Sequence, residues 1–349
     1  ERPEGNVTIA KIAELAGTSK MTVSRVINKK GYVGEETRKR VEAAIRELNY
    51  KPNMLAKALV TKRTNILAYV MVNISDPFHN LVKQGFESSA YHGRFTSMMC
   101  DVHSAERQRD YFNMFQEICI GGVVFHHLAI TQEQIQELEQ AGIQCVLMDN
   151  EFDIPDVSTV NTDNYAGGRM AAEHLYEKGY RRIGCVHGEL APGNSNSSTL
   201  YKDTFQFRIW QQRTAGFTDA LKDHGLDPAG FFLCNGQLEV AEPMSYRIVE
   251  QILSVNEPIT ALYCEDDVMA LTIYKRLQER GIRVPEQIAI IGHDGLDMIK
   301  ALHPQITTVE QPRYEMGRTA AQILIEQIEQ GAPPRHIVLQ PRLLVGETT

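Results

Sequence analysis

Apolar residues recur at every third or fourth position through the first fifty residues, and this pattern predicts three short helices. Ile9, Ile12, Ala13 and Ala16 share one face, and Thr8 stands before them as a helix cap. Gly17 ends that run where a tight turn needs a positive φ. Ser19 caps a second helix whose Val23, Val26 and Ile27 face inward, leaving Lys20, Met21, Thr22, Ser24, Arg25 and Asn28 outward. Glu35 to Asn49 is a third amphipathic helix with Val41, Ala44, Ile45 and Leu48 inward, and a short helix follows Pro52 in YKPNMLAKAL.

From Asn65 the pattern changes to short continuous apolar runs. ILAYVMVN, TSMMCDV, GGVVFHH and QCVLMDN alternate with helices starting near Pro77, Ser104 and Thr131, and RRIGCVHG, ALYCEDD and AIIGHD come later. Buried runs alternating with helices predict α/β units with parallel sheets. Ligands in such sheets bind beyond the carboxyl ends of the strands, which singles out Asp76, Phe78, His126, Asp149, Asp266 and Asp294.

Charge divides the chain at the same place. Residues 1–65 hold 14 Lys and Arg against 7 Asp and Glu, so +7 at one end accompanies −15 on the remainder of a chain whose net charge is −8. A basic head on an acidic body suits a module that binds phosphate while its body is repelled from it. At 349 residues, two or three domains are expected. No run approaches eighteen apolar residues and the start, ERPEGNVT, has no apolar core of a secretion signal, so the expectation is a cytoplasmic protein with no membrane span. The six scattered cysteines, with no CxxC spacing, read as reduced and mostly buried thiols.

Two helices joined by a glycine-containing turn form a helix-turn-helix, whose second helix fits the major groove of DNA. VTIAKIAELAGTSKMTVSRVIN followed by TRKRVEAAIRELNYKPNMLAKAL closely resembles the LacI/GalR family of bacterial transcription regulators. The resemblance implies an all-α helix-turn-helix head (1–51), a hinge helix and linker (52–64), and a two-lobed periplasmic-binding-protein-like α/β core with parallel sheets (65–349). In the core it implies a first lobe of about 65–162 and 294–323, a second of about 163–293 and 324–349, and crossings near Thr162, Gly292–Gly295 and the C-terminal helix.

By that resemblance Lys20, Met21 and Arg25 fall where bases are read, and Thr8, Thr22, Ser24, Asn28 and Thr37 fall where the DNA backbone is held. Tyr50 and Asn53 precede or enter the hinge helix, with Leu55 and Ala56 inside it. Leu59 takes the position whose paired side chains wedge into the central base step, widening the minor groove. The plainer role for Leu59 is a core leucine, but Leu55 and Leu59 are the only large aliphatics of that hinge helix. They are too few to fold it alone, so the expectation is ordering only as a dimer on DNA.

In the core the resemblance places Phe78, His79, His126, Asp149, Arg213, Asp294 and Gln311 around an effector between the lobes. A carboxylate accepting two hydroxyls beside an arginine fork is a common way to hold a sugar, though each residue singly also fits an N-cap or a surface pair. Two departures qualify the transfer. Asp266-Asp267 replaces the family's usual Asn-Asp, adding a charge that an amine-bearing ligand or a protonated Asp would relieve. The stretch Gly188 to Arg213 is longer by about fifteen residues than the family pattern, a length at which loops are functional or disordered. Its Trp210 offers a stacking face for a sugar, or else, with Tyr201, Phe205 and Phe207, covers the lobe's own core.

These readings predict a homodimeric repressor of a carbohydrate-use operon, acting on palindromic operator DNA under a small sugar-like effector, with no cofactor. A regulator responding to a purine or nucleoside is the alternative within the family. A sugar-binding transport protein would share the lobes but has no use for residues 1–62. An enzyme is disfavoured because the chain has no GxGxxG, GxxxxGK, HExxH or GxSxG element, and the adjacent His126-His127 does not have a familiar metal spacing.

Overall fold

The computed structural model describes residues 8–28, 31–50, 63–128, 130–150, 154, 156–187, 206–233 and 242–349. The chain divides into two compact units, Glu1–Thr64 and Asn65–Thr349. The first holds α1 (Ile9–Leu15), α2 (Lys20–Asn28) and α3 (Glu35–Glu47). Thr8 caps α1 by accepting from Lys11 N–H, Gly17 turns the chain at φ 59°, and Ser19 accepts from Thr22 N–H at the start of α2. Ile12, Ala13, Ala16, Val23, Val41 and Ala44 are buried together, with Val26, Ile27, Ile45, Leu48 and Tyr50 packed around them.

The second unit contains two six-stranded sheets. The strands are β1 (Ile66–Met71), β2 (Thr96–Asp101), β3 (Gly122–His126), β4 (Gln144–Met148), β5 (Ser158–Thr162), β6 (Ile183–His187), β7 (Gly230–Leu233), β8 (Ala261–Cys264), β9 (Ala289–Asp294), β10 (Thr307–Glu310), β11 (His336–Leu339) and β12 (Arg342–Leu344). Its helices are α4 (His79–His92), α5 (Ala105–Glu117), α6 (Gln132–Gln140), α7 (Asn164–Glu177), α8 (Gln206–Asp223), α9 (Glu242–Ser254), α10 (Asp267–Glu279), α11 (Asp297–Lys300) and α12 (Arg313–Gln330). The first sheet runs β11-β5-β4-β3-β1-β2, all parallel. The second runs β12-β10-β9-β8-β6-β7, parallel except for the edge strand β12. Near-continuous burial of β1, β3, β4, β6, β8 and β9 follows from helices covering both faces.

Strand pairing corrects the expected lobe boundaries. Residues 294–310 belong to the second lobe, because β10 pairs with β9 through Thr307↔Ile291 and Thr308↔Gly292. The whole of α12 and the strand after it belong to the first lobe. Met316, Ala320, Ile323 and Leu324 pack with Tyr69, Val124 and Val146, and β11 pairs with β5. The second crossing therefore lies at Gln311–Pro312, not Gly292–Gly295, and the third lies at Gln340–Pro341. The first is at Thr162–Asp163, where Asp163 N–H donates to Leu339 O and Asp163 Oδ2 accepts from Gln340 Nε2.

Each lobe has one helix pair crossing at reciprocal glycines. A Cβ on Gly85 of α4 would collide with Tyr314 O of α12, and one on Gly317 would collide with Val82 O. In the second lobe, Gly168 of α7 stands against Arg213 O of α8, and Gly216 against Tyr165 O. This close approach fixes where the first turn of α7 and Arg213 sit relative to the strand ends.

Candidate functional site

The head presents a polar face on α2. Lys20, Met21 and Arg25 are exposed, Met21 at 65%, while Thr22 and Ser24 are half-buried beside them. Thr8 Oγ1 accepts from Lys11 N–H, and Thr37 is half-buried in the first turn of α3. Asn28 is the last residue of α2, and Tyr50 packs against the head's core. Asn53, Leu55, Ala56 and Leu59 lie outside the described residues, as does the expected hinge helix.

In the core, the expected residues gather at the carboxyl ends of the strands. The first-lobe wall is aromatic and histidine-rich. Phe78 is buried, and its ring centroid lies 5.7 Å from that of His126 and 6.2 Å from that of His127. Its N–H donates to Asp76 Oδ1 at 2.8 Å, which sets the turn into α4. His79 lies behind it, with Nδ1 3.2 Å from Tyr69 Oη and Nε2 3.2 Å from Val72 O. Tyr69 Oη also bonds His126 Nδ1, and His126 Nε2 lies 3.3 Å from Asp149 Oδ2. His127 Nε2 is 3.4 Å from that same oxygen. The other carboxylate oxygen, Asp149 Oδ1, accepts from Thr162 N–H at the first crossing. Burial lowers His126 to about 4, with His127 adding to the shift. Burial would raise the Asp149 carboxyl, but the two imidazoles facing it outweigh that and hold it below the usual carboxylate range.

The second-lobe wall is acidic around one arginine. Arg213 donates from Nε to Asn164 Oδ1 at 2.9 Å, from Nη1 to Glu265 O, and from Nη2 to Asp294 Oδ1 at 3.2 Å. Gln311 Nε2 donates to the same Asp294 oxygen at 2.7 Å, while its buried Oε1 has no hydrogen-bond partner among the described residues. Asp294 sits at φ 109°, a costly conformation for a non-glycine residue. Burial raises its carboxyl, and Arg213 opposes that rise. Half-buried Asp266 caps α10 by accepting from Met269 N–H at 2.6 Å, and burial with nearby Asp294 pushes it up to about 7. Asp267, fully buried, accepts from Thr308 Oγ1 at 2.6 Å and Leu296 N–H at 2.7 Å, so it braces β9 against β10. The walls feel each other: Asp76 senses the charge of Asp294, and Arg213 that of Asp149.

Trp210 takes the second of its two expected roles, not the effector-stacking one. It packs against the second-lobe cluster of Val186, Phe232, Ile248 and Ile252, where an indole removes its apolar area from water, and so serves the lobe's own core. Residues 188–205 of the long stretch, including Tyr201 and Phe205, lie outside the described residues, whereas Gln206 onward is regular helix. Tyr69, Asn164, Glu265 and Arg313 were not singled out by sequence. Tyr69 looks like one more apolar strand residue until β1 and β3 are registered, and Arg313 Nη2 reaches Gly295 O at 2.5 Å across a gap of 18 residues.

Comparison with known proteins agrees with both halves. Residues 8–53 match the bacterial regulatory proteins, lacI family, and residues 172–349 match the periplasmic binding protein-like domain. The HTH-type transcriptional repressor PurR of Aliivibrio salmonicida (strain LFI1238) is 32% identical over 332 residues, covering 95% of each chain. PurR of Vibrio vulnificus (strain CMCP6) is 30% identical over 98% of each. Among solved structures, a transcriptional regulator CelR–cellobiose complex is 26% identical with a TM-score of 0.69, covering 98% of this chain and 100% of that one. The lac repressor dimer bound to operator and the anti-inducer ONPF, 23% identical over 99% of both chains, shares the fold with a TM-score of 0.77. The chain belongs to the lacI family of bacterial regulatory proteins.

Proposed function

We propose that the protein is a transcriptional repressor that acts as a homodimer on a palindromic operator and is controlled by a small polyhydroxylated effector, a sugar or sugar derivative, held between the lobes. Two heads occupy half-sites about one helical turn apart, with α2 of each in the major groove. Lys20, Met21 and Arg25 read base edges, and Thr8, Thr22, Ser24, Asn28 and Thr37 hold the backbone. Tyr50 and Asn53 precede or enter the hinge helix, and that helix, with Leu55, Ala56 and the wedging Leu59, enters the minor groove at the centre. The effector controls DNA binding by preferring one lobe arrangement over the other, and its leverage is limited to its differential affinity for the two.

The observation that carries the effector class is the cluster of acceptors on the second-lobe wall. Asp294 is oriented by Arg213 and Gln311, the buried Gln311 Oε1 has no donor among the described residues, and Asp266 stands beside them. Several hydroxyl donors on one small ligand satisfy such a wall, with Phe78 offering an apolar surface opposite. A second reading is a purine-type effector, favoured by the relatives named PurR and by the ring faces of Phe78 and His127.

Thermal unfolding against mono- and disaccharides, sugar phosphates, amino sugars, nucleobases and nucleosides tests this. A ligand at a hundred times its dissociation constant adds about 2.7 kcal/mol. A sugar that raises the midpoint and changes operator affinity supports the first reading, and a purine doing so supports the second. No shift from any of them removes the sugar reading.

A further inference from the structure

The hydrogen-bond chain behind Phe78 does not close on its own protons. Val72 O only accepts, so His79 Nε2 carries the proton between them and His79 Nδ1 is left as an acceptor. Tyr69 Oη therefore donates to His79 Nδ1 and must accept from His126 Nδ1. That fixes the tautomer of His126 with an Nε2 lone pair aimed at Asp149 Oδ2, itself an acceptor. Four contacts need four protons, and two neutral imidazoles with one phenol supply three. With both imidazoles of the chain neutral, two lone pairs would thus face each other 3.3 Å apart in a fully buried position, and His127 Nε2 stands 3.4 Å from the same oxygen.

We propose that His126 Nε2, His127 Nε2 and Asp149 Oδ2 form a site for one divalent transition metal ion of the zinc class on the first-lobe wall. Among the described residues these three alone bring ligand atoms together in this way, all within 4.8 Å of one another. Ligands about 2.0–2.2 Å from a tetrahedral ion stand about 3.3–3.6 Å apart. The two imidazole–carboxylate separations, 3.3 and 3.4 Å, fit that spacing, and the two imidazole nitrogens, within 4.8 Å of each other, need only a small side-chain rotation to close on an ion. The surroundings are those of a metal site. Tyr69 orients His126 through its other nitrogen, and Thr162 N–H holds Asp149 Oδ1 so that Oδ2 points inward. His127 at φ 53° and Asp149 at φ 45° both turn in left-handed backbone just after the ends of β3 and β4, which brings their side chains to one point. Two imidazole donors against one carboxylate favour zinc-class ions over magnesium or calcium. Three protein ligands leave a fourth position for water or a ligand oxygen.

The proposal needs neither DNA nor an organic effector, so its test is independent of both. The full-length protein, stripped with a chelator, is titrated with Co²⁺ and followed by visible absorption, then with Zn²⁺ in competition with a chromophoric chelator. The expected result is one Co²⁺ per chain with the intense bands of tetrahedral coordination, displaced by Zn²⁺. His127→Gln, at a partly exposed position, and Asp149→Asn should each weaken binding at least tenfold. His103→Gln, at an exposed histidine beside Asp101, should leave it unchanged. A thermal scan confirms that each variant is folded, and His127→Gln is the decisive one if Asp149→Asn unfolds. No bound ion, or binding that His127→Gln leaves intact, overturns the site and leaves an imidazolium as the fourth proton.

Discussion

Arg213 Nη2 lies 3.2 Å from Asp294 Oδ1, and both side chains are buried. This pair ties the middle of α8 to the end of β9. There the acceptors of the second-lobe wall meet a guanidinium that bonds three different residues.

Arg213→Ala removes the cation and leaves Asp294 buried without it. Breaking one partner of a buried pair costs about 3–5 kcal/mol. Urea unfolding should show a loss of that size, and the effector-induced rise in midpoint should vanish with it. A loss below about 1 kcal/mol would mean that the pair is solvated in solution.

Asp266 gives the fold a pH dependence with a definite sign. Its carboxyl is raised to about 7 in the folded protein, against about 3.9 in an unfolded chain. Between those values the folded state keeps a proton that the unfolded state has released, so stability falls as pH rises from about 4 to about 7. Buried Asp267 and Asp294 are raised too and act in the same direction. Asp266→Asn retains an acceptor for Met269 N–H and removes one titrating group. The variant should gain on the parent between pH 5 and pH 8. An equal difference between the two proteins at both pH values would show that Asp266 is ionised throughout.

The glycine crossings predict a steric effect. Gly168→Ala or Gly216→Ala puts a methyl group into a backbone carbonyl of the facing helix. Overpacking of this kind costs about 1–3 kcal/mol. Since Arg213 O is the atom met at Gly168, effector affinity should fall as well. A Gly168→Ala protein with parental stability and parental ligand response would mean that α7 and α8 separate freely.

Much of this could be read in the chain beforehand. The inward faces of the head, Ile12, Val23, Val41 and Ala44, follow from helical spacing, and the apolar strand runs locate Asp149, Asp266 and Asp294 at strand ends. The lobe boundary could not be read, because β10 is the short polar run TTVE, with no apolar stretch to mark it as a strand, and because β11 and β12 are divided between two sheets by only Gln340 and Pro341. Nor could the chain from His79 through Tyr69 to Asp149. It depends on the register of β1 against β3 and β3 against β4, which brings together residues up to 57 positions apart. Trp210 illustrates the opposite limit: an aromatic near a cleft has two apolar places to go, and only packing decides between them.

The most direct test of the regulator reading is selection of bound duplexes from a random DNA pool by the full-length protein, carried out in parallel with Arg25→Ala. The account predicts enrichment of one inverted repeat by the parent, and a loss of preference worth about 1–3 kcal/mol at a symmetric pair of positions in the variant. A parent protein that enriches no sequence, or an Arg25→Ala protein that enriches the same repeat equally well, would contradict it.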